Sequence, residues 1–445
     1  MTAEAAREPS WRRPFAPIDP ASLGWFRFAL GALLVWEGSR FLSHGWVTEY
    51  FVDPSFHFKY FGFEWVQPLG AEGMRLLFQA LMGCAALLTL GIAPRTMSAL
   101  LCTGWCYVFL CEQARYLNHI YLLVLLLFML AWIPSGNDFG LAQLRGKPRR
   151  KIPALGLLAL RSQMGVVYFF GGIAKINYDW LDGVPLDSWL SNRSDLLLIG
   201  PLLDLPLSGL TFAWAGLAID LFAWPFLEHR IARYMMFALL AAFHVTNFFL
   251  FHIGIFPWMA LAITTLWLPP DWPRRLTRRV TDAADAIAPR GRRVALSLAG
   301  LWFVWQFAMP LRHHLYPGNV AWNEQGHRFS WRMKLRSKRG EATFRVSLPS
   351  IREHRLVDSL HELTSWQARK MATRPDMLLQ YAHHLADDAR AEGHADVQVR
   401  AISEVSLNRR EPELIVDPNV DLAQVQDGLA HQTWITDGPS LGPRH

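Results

Sequence analysis

The sequence predicts a membrane α-helical bundle of about nine transmembrane helices, followed by a C-terminal extracytoplasmic α+β domain that contains a β-sandwich-like sheet. Hydrophobic residues make up 52% of the chain and charged residues only 18%, whereas an ordinary soluble protein has about 25% charged residues. The apolar residues lie in long runs, and many of the 20 tryptophans stand at the ends of these runs, as in the aromatic belts at membrane surfaces. These observations favour lipid as the solvent for most of the chain.

The candidate spans are apolar runs separated by short polar loops, and several are short for a bilayer of about 30 Å. They are residues 23–42, 73–92, 97–111, 120–133, 155–173, 207–227, 234–248, 249–268 and 294–309. The first run is not followed by a small-residue cleavage pattern, so we interpret it as a retained helix and not as a signal peptide.

Basic residues fix the predicted orientation, because they cluster in the N-terminal segment and after every second run. The members of these clusters are Arg7, Arg12, Arg13, Arg95, Arg145, Lys147, Arg149, Arg150, Lys151, Arg230, Arg233, Arg274, Arg275, Arg278, Arg279, Arg290, Arg292 and Arg293. The positive-inside rule then places the N-terminus and these loops in the cytoplasm, and the remaining loops outside. Membrane orientation explains the net charge of +7 better than nucleic-acid binding does. Short loops and the absence of a signal peptide indicate a bacterial inner membrane.

The character of the sequence changes after Pro310. Apolar residues alternate with polar ones in 331–335 and again in 344–348, on either side of the glycine-containing stretch 337–340, which predicts a β-hairpin. Helices are predicted at 354–370 and from Asp376, and further strands at 397–407. We therefore predict three regions, which are a transmembrane domain at 1–310, an extracytoplasmic α+β domain at 311–436 and a disordered tail at 437–445.

Three polar clusters lie at the predicted outer ends of the helices, at 116–121, at 168–180 and at 243–247 with His252. Polar and ionisable groups at membrane depth are costly, so each cluster is a functional hypothesis. Because all three fall on the same side as the outer domain, they predict one site facing that domain. The candidate residues from these clusters are Asn118, His119, Tyr121, Lys175, Asp179, Trp180, His244 and Asn247.

Lys175 is singled out by its chemistry, because desolvation at the end of an apolar helix favours a neutral amine that can act as a base. Other interpretations stay open for each residue. Lys175 could snorkel to the interface, and His119 could make a structural hydrogen bond at a helix start. His244 and Asn247 could join helices, and Asp179 could pair with a nearby cation.

Other chemistries find little support in the sequence. The pairs His313–His314 and His383–His384 lack the spacing of a zinc or di-iron site, and we expect no metal. No phosphate-binding glycine loop, nucleophile elbow or CxxC motif is present, so nothing indicates a nucleotide. The four cysteines lie in or beside apolar runs, and a disulfide framework is not expected.

Several stretches resemble the vitamin K-dependent γ-glutamyl carboxylases. YFFGGIAKINYDWLDG (168–183) resembles the segment that holds the family's catalytic lysine, and NHIYL (118–122) its Asn-His-x-Tyr-Leu motif. FHVTNFFLFHIGIFPW (243–258) and the outer-domain stretch around Trp322 and Trp331 also have counterparts, as do RPDMLLQYA (374–382) and DPNVDL (417–422). Ala174 and Asn177 depart from the family pattern. The chain also ends soon after Leu422, where animal members continue with a long extension, so recognition of a propeptide is not implied.

The resemblance implies a reaction and roles for the candidate residues. Lys175 would take a proton from a reduced vitamin K or menaquinone, and reaction of that quinol with O2 would give a strong base and finally the 2,3-epoxide. That base would remove the γ-hydrogen of a glutamate in a protein or peptide, and CO2 would add to the carbanion. His119 would orient or protonate a reacting species, and Asn118, Tyr121 and His244 would be its hydrogen-bonding neighbours. Trp322 would help to hold the glutamyl peptide, and Asp179, Trp180 and Asn247 would complete the substrate site.

Two other functions remain compatible with the sequence. The protein could be a quinol oxygenase or epoxidase that carboxylates no glutamate, or a non-catalytic lipid- or quinone-binding membrane protein. The presence of both Lys175 and His119 favours an enzyme.

Overall fold

The computed structural model describes residues 13–141, 150–193, 195, 200–251, 253–277 and 291–439. The part of the chain before Leu311 is mainly helical. Its helices are α1 Ala21–Ser43, α2 Trp46–Phe51, α3 Ala71–Thr89, α4 Pro94–Cys111, α5 Asn118–Trp132, α6 Leu155–Ala174, α7 Tyr178–Leu181, α8 Val184–Ser191, α9 Gly200–Leu203, α10 Ser208–Glu228, α11 Ala232–Phe251, α12 Phe256–Thr264, α13 Trp272–Thr277 and α14 Arg292–Leu311. Every predicted span overlaps one of the longer helices.

Five of these helices, α3, α6, α10, α11 and α14, are long and apolar enough to cross a membrane. The other predicted spans fall short by length or composition, because α5 and α12 are shorter apolar helices and α1 contains Arg27, Glu37 and Arg40. The chain is thus a multi-pass membrane protein. Membrane crossing by α1, α4, α5 and α12 stays a prediction.

The boundary between the seventh and eighth predicted spans is wrong. The helix of the seventh predicted span, α11, continues to Phe251, and α12 begins only at Phe256. Between them Gly254 has a φ of 61°, a conformation that glycine adopts without a Cβ penalty. Pro257 follows in the first turn of α12, where proline is favoured. His252, in the same connection, lies outside the described residues.

Three segments that the charge pattern assigns to one side meet at one end of the bundle. Arg274 Nε lies 3.0 Å from Asp19 Oδ1, and the same guanidinium also pairs with Asp138. Strand β1 Pro17–Ile18 pairs with β2 Ile152–Pro153 beside them. The segment before α1, the segment after α5 and the segment after α12 therefore share this end. The membrane side on which this end lies stays a prediction.

The C-terminal part forms one four-stranded antiparallel sheet packed against helices. The strands are β3 Lys338–Leu348, β4 Glu353–Asp358, β5 Gln398–Leu407 and β6 Glu413–Leu414, in the order β4-β3-β5-β6, and the helices are α15 Val320–Asn323, α16 Ser365–Met371 and α17 Pro375–Ala391. Buried side chains of β3, β5 and α17 share one core. The predicted β-sandwich-like sheet is wrong, because the described residues of the C-terminal part form a single sheet whose apolar face packs against helices in place of a second sheet.

The predicted hairpin is also wrong, since residues 338–340 of the predicted turn open the long strand β3. Residues 331–337 form no strand. Trp331 and Lys334 have φ values of 56° and 51°, left-handed conformations that interrupt an extended chain. Trp331 stacks on Tyr121 with ring centroids 5.0 Å apart. The alternation of apolar residues here reflects packing onto the membrane helices.

Two further predictions in this region have opposite outcomes. The predicted helix 354–370 is replaced by β4 and the shorter α16, whereas the predicted strand region 397–407 is confirmed by β5. Gly438, inside the predicted disordered tail 437–445, packs on Trp322 so closely that an added Cβ would lie 2.5 Å from the indole ring, and the tail stays a prediction. Residues 440–445 of that tail lie outside the described residues.

The C-terminal part rests directly on the ends of the membrane helices. The Gln367 side chain donates to Glu112 Oε2 at 2.9 Å, and the Phe329 amide donates to the Tyr116 hydroxyl at 2.6 Å. Arg410 pairs with Asp179 at the same junction. The polar clusters of the sequence therefore lie where the two parts meet.

Candidate functional site

A cavity of about 110 Å³ lies between the helices at this junction, several times the space that one water molecule needs. Its wall is mainly apolar and aromatic, with a few polar side chains. The lining residues are Val167, Tyr168, Lys175, Trp180, Leu186, Trp189, Phe212, Gly216, Asp220, Phe243, His244, Asn247, Phe251, Ile253, Phe256, Met333 and Lys334. An apolar cavity with a few convergent polar groups is the usual form of a small-molecule site.

Lys175 lies at the C-terminal end of α6 and is buried. Its amine forms an ion pair with Asp220 of α10 and donates a hydrogen bond of 3.2 Å to the carbonyl oxygen of Gly171. The glycines before it allow α10 to approach, since a Cβ on Gly172 would lie 3.0 Å from the Leu221 amide nitrogen. The GG step of the motif therefore brings the Lys175 amine and the Asp220 carboxylate together.

Trp180 forms the wall of the cavity beside the amine. The Lys175 Nζ lies 5.2 Å from the centroid of the Trp180 ring, within the range of a cation–π contact. The indole N–H donates to the carbonyl oxygen of Ala213 at 2.9 Å. The backbone N–H of Trp180 donates to the Asn177 side chain at 3.1 Å, so Asn177 caps the short helix α7.

His244 and Asn247 enter the cavity from α11. The His244 Nε2 and the Tyr168 hydroxyl lie 2.9 Å apart. The other ring nitrogen, Nδ1, is buried and has no hydrogen-bond partner within the described parts of the chain. A buried polar atom without a partner is costly, so this nitrogen is a candidate contact for a bound molecule.

His119 lies next to the cavity but is not among the residues that line it. Its Nε2 lies 3.5 Å from the position that a Cβ would take on Gly254, and Ile253, the preceding residue, does line the cavity. The sequence motifs that hold His119 and Lys175 thus converge on one region. The turn that contains Gly254 therefore lies between the His119 imidazole and the cavity.

Asn118 and Tyr121 lie next to the C-terminal part of the protein. The Asn118 side chain accepts a hydrogen bond of 2.9 Å from the Tyr116 hydroxyl. The Tyr121 ring stacks on Trp331 and meets Phe329 edge-on with ring centroids 4.9 Å apart. Both residues hold the junction together at the start of α5.

Asp179 and Trp322 lie outside the cavity lining. Both carboxylate oxygens of Asp179 are engaged by Arg410, which is the ion pair that the sequence left open as an alternative. Trp322 is buried in the core of the C-terminal part, where its indole N–H donates to the Thr436 hydroxyl at 3.1 Å. These contacts favour positioning and packing roles over direct substrate contact.

Sequence reasoning missed two charged residues of the cavity. Asp220 is an acid inside a predicted span, a signal that could have been used because such groups are costly in lipid. Lys334 comes from the C-terminal part, and its amine lies 5.3 Å from the centroid of Trp189 and 5.7 Å from that of Phe251. Desolvation by burial lowers the pKa of the Lys334 amine. No pattern in the sequence connects position 334 with α8 and α11.

A second cavity of about 260 Å³ lies at the same junction and is more polar. Arg312, Glu324, Arg328 and Asp376 line it together with aromatic side chains. Arg328 Nη1 lies 2.5 Å from Asp376 Oδ2. The chain from Glu324 to Lys334 runs from the second cavity to the first, because Phe329 lines the second and Met333 the first.

Glu324 is the centre of a basic cluster beside the second cavity. Burial opposes its charged form, but Arg336 and Lys338 hold the pKa of the carboxyl well below its ordinary value. Burial lowers the pKa of Lys338 to about 8. Repulsion from Arg374, followed by burial, lowers the pKa of Lys370 to about 8. Cations outnumber acids here, so the cluster favours an anionic ligand.

One group of side chains with metal-ligand chemistry lies away from both cavity linings. His384 Nε2 is 3.3 Å from Glu362 Oε2 and 3.5 Å from Asp388 Oδ2, and the three side chains could offer ligands to an ion. The sequence predicts no metal site at His383–His384. The His384 ring stacks on Phe56 with centroids 4.7 Å apart, and the contacts of the imidazole with the two carboxylates suffice to explain the cluster.

Fold and site together define a multi-pass membrane protein whose C-terminal part lines a cavity at the ends of the membrane helices. Comparison with known families makes the assignment specific. The HTTM domain matches residues 15–272, and the vitamin K-dependent gamma-carboxylase lumenal domain matches residues 291–440. The chain belongs to the vitamin K-dependent gamma-carboxylase family, as the lysine and histidine motifs indicated. No solved structure matches the chain.

Proposed function

We propose that the protein carboxylates glutamate side chains of a protein or peptide with CO2, coupled to epoxidation of reduced vitamin K or menaquinone. The observation that carries this proposal is the burial of Lys175 in an apolar cavity that the membrane helices and the C-terminal part build together. Such a cavity gives a prenylated quinone access from lipid and a peptide access from water. We also propose that this junction faces outward, and that the protein lies in a bacterial inner membrane with the regions 1–310 and 311–436 as its two domains.

The residues present fit a flat aromatic quinol. Trp180, Phe243 and Phe256 offer aromatic faces, against which a ring system can pack. Lys175, Asn247 and the Nδ1 of His244, which has no partner among the described residues, offer polar contacts for its hydroxyl groups. When bound with O2, the reduced quinone supplies the strong base that removal of a glutamate γ-hydrogen requires, and it leaves as the 2,3-epoxide.

Lys175 accepts a hydroxyl proton from the quinol, and Asp220 prepares it to do so. An ion pair at this depth is costly to keep charged. Transfer of the ammonium proton to the adjacent carboxylate yields a neutral amine and a neutral acid without moving any proton through lipid. The amine can then take the quinol proton, and the pair carries one net positive charge opposite the quinol oxygen. Asp220 therefore holds the proton that Lys175 must give up.

The wall of the cavity excludes water. Water would protonate the glutamate carbanion before CO2 could add, so the reaction needs a dry site. Trp180, Trp189 and Phe251 line the cavity, and Trp189 and Phe251 lie beside Lys334 of the C-terminal part. Met333 of that part adds a further apolar contact.

Two cationic regions support binding of a glutamyl peptide. Lys334 reaches the cavity from the C-terminal part, where we propose that the peptide binds. Its amine contacts no carboxylate among the described residues, so it is available for the glutamate carboxylate. The basic cluster around Glu324 beside the second cavity supports binding of the rest of an acidic peptide. In this proposal Trp322 acts indirectly, by holding the chain that leads into Glu324.

His119 and the pair of His244 with Tyr168 complete the proposed site. The turn around Gly254 lies between the His119 imidazole and the cavity. A small movement of this turn would let the imidazole contact a bound molecule, and we propose that His119 orients or protonates a reacting species. The Tyr168 hydroxyl fixes the ring orientation of His244. Asn118 and Tyr121 keep the start of α5 in place.

The test uses the full chain in lipid nanodiscs with reduced vitamin K or reduced menaquinone, labelled CO2 and a glutamyl peptide. Epoxide and peptide-bound label are read separately. Both products support the proposal. Epoxide without label would show a quinol epoxidase that does not carboxylate, and the absence of both products would indicate a binding protein.

A further inference from the structure

A buried ion pair joins the end of strand β5 to the short helix that follows Lys175. Arg410 Nη2 lies 2.6 Å from Asp179 Oδ1, and Nη1 lies 2.8 Å from Oδ2. The Asn408 side chain donates to the same Oδ2 at 2.6 Å. The exposed fractions of the Arg410 and Asp179 side chains are only 12% and 8%. A two-point contact of this kind fixes orientation as well as distance.

The C-terminal side of this contact is a rigid turn. Asn408 and Arg409 both have left-handed backbone conformations, with φ values of 52° and 65°. Two hydrogen bonds tie Asn408 to Ser337, because each residue's amide donates to an oxygen of the other. Arg409 Nε also donates to the Ser188 hydroxyl at 3.1 Å. The turn therefore contacts both α7 and α8 through side chains whose backbone is held in place.

The membrane side of the contact leads directly to the candidate base. Asp179 lies in α7 between Tyr178 and Trp180, four residues after Lys175. The Trp180 ring is the aromatic wall beside the Lys175 amine. A movement of Asp179 would therefore move the wall and the end of α6 with it.

We infer that the turn Asn408–Arg410 is a positioning element that holds the Lys175 amine in the cavity through Asp179 and Trp180. This inference rests on the proposed function, and it makes Asp179 a positioning residue that does not bind substrate. Correct placement of a reacting group within about 1 Å is worth up to a hundredfold in rate. The C-terminal part thus contributes to the quinol half of the reaction even when no peptide is bound.

The first test measures quinol epoxidation by the full chain in nanodiscs without peptide. Arg410→Gln and Asp179→Asn each remove the ion pair and keep a polar side chain at the position. Arg410→Lys keeps the positive charge but can contact the Asp179 carboxylate through only one nitrogen. The matched control is Arg390→Gln, which removes an exposed arginine from its pair with Asp387. We expect Arg410→Gln and Asp179→Asn to lower kcat by about tenfold to a hundredfold, with the KM for the quinol nearly unchanged. Arg410→Lys should recover part of the rate, and the double variant should be no slower than the slower single variant.

A second measurement reads the position of the amine without any activity. Lys175 is buried, so acylation by a water-soluble amine reagent, read by mass spectrometry, should be slow in the wild type and several times faster in Arg410→Gln at the same thermal midpoint. The inference is wrong if Arg410→Gln and Asp179→Asn both keep the wild-type kcat and the wild-type rate of Lys175 acylation. It is also wrong if these variants raise the KM for the peptide but leave epoxidation unchanged. If the wild type forms no epoxide, the proposed function fails, and the labelling result alone decides whether the turn positions Lys175.

Discussion

Lys175 and Asp220 form a buried ion pair between the end of α6 and the middle of α10, two helices that are both apolar enough to cross a membrane. The sequence motif identified the lysine, whereas the carboxylate comes from another predicted span. Charges at such depth are kept only in pairs. The base proposed here is therefore a pair of groups, and its two members can be tested separately.

Asp220→Asn tests the proton-holding role of the carboxylate. The amide keeps the size of the side chain but cannot accept the lysine proton, so we expect kcat for quinol epoxidation to fall by about a hundredfold or more. The control is Asp204→Asn, which alters an exposed acid in the segment before α10. A wild-type rate in a folded Asp220→Asn protein would rule out this role.

Lys334→Gln tests the proposed contact with the glutamate carboxylate. Loss of one charge-assisted hydrogen bond costs about 1.5–3 kcal/mol, so the KM for the glutamyl peptide should rise by about tenfold to a hundredfold. Epoxidation without peptide should stay near the wild-type rate, because the quinol makes no use of this charge. Lys151→Gln, in the segment before α6 and exposed, provides the control. An unchanged peptide KM would contradict the assignment.

Trp322→Ala separates a packing role from a binding role. The indole is almost fully buried in the core that also holds the sheet, so its removal should destabilise the C-terminal part by about 3–5 kcal/mol. Trp322→Phe should lose less stability, because most of the ring contacts remain. Denaturation monitored by tryptophan fluorescence measures this loss. A stable Trp322→Ala protein with a raised peptide KM would instead support direct substrate contact.

Acid stability depends in part on His57, in the loop between α2 and α3. Burial, and then the nearby Lys59, lower the pKa of this imidazole to about 4 in the folded protein from an unfolded value of 6.5. Between pH 6.5 and about 4 the unfolded chain therefore binds more protons, and stability falls as the pH falls. The thermal midpoint of the wild type should drop more over this range than that of His57→Gln. The control His431→Gln alters an exposed histidine, and an equal acid response in wild type and His57→Gln would contradict the prediction.

Much of the helical architecture could be predicted because apolar runs and basic loops follow directly from the physics of a bilayer. The convergence of Lys175, Trp180, His244 and Asn247 on one cavity could also be expected, since all were assigned to the same ends of the helices. The failures concern contacts between distant residues. Positions 179 and 410 are 231 residues apart, and no local pattern reveals such a pair.

The stretch 331–337 shows why a local pattern can mislead. Its apolar residues alternate as in a strand, but Trp331 and Met333 pack on membrane helices and the backbone of Lys334 is left-handed. Trp322 shows that a family motif, like a local pattern, does not reveal the three-dimensional contacts of a residue. Trp322 matches a tryptophan of the family, but only the three-dimensional core reveals that the indole is enclosed.

The most direct test of the central claim is the rate of quinol epoxidation by Lys175→Met in nanodiscs, measured beside the double variant Lys175→Met/Asp220→Asn. The double variant leaves no unpaired charge in the bilayer, so loss of activity in it cannot be attributed to misfolding by a buried carboxylate. The account predicts that both variants bind reduced vitamin K but form no epoxide above background. Epoxidation at the wild-type rate by a folded double variant would contradict it.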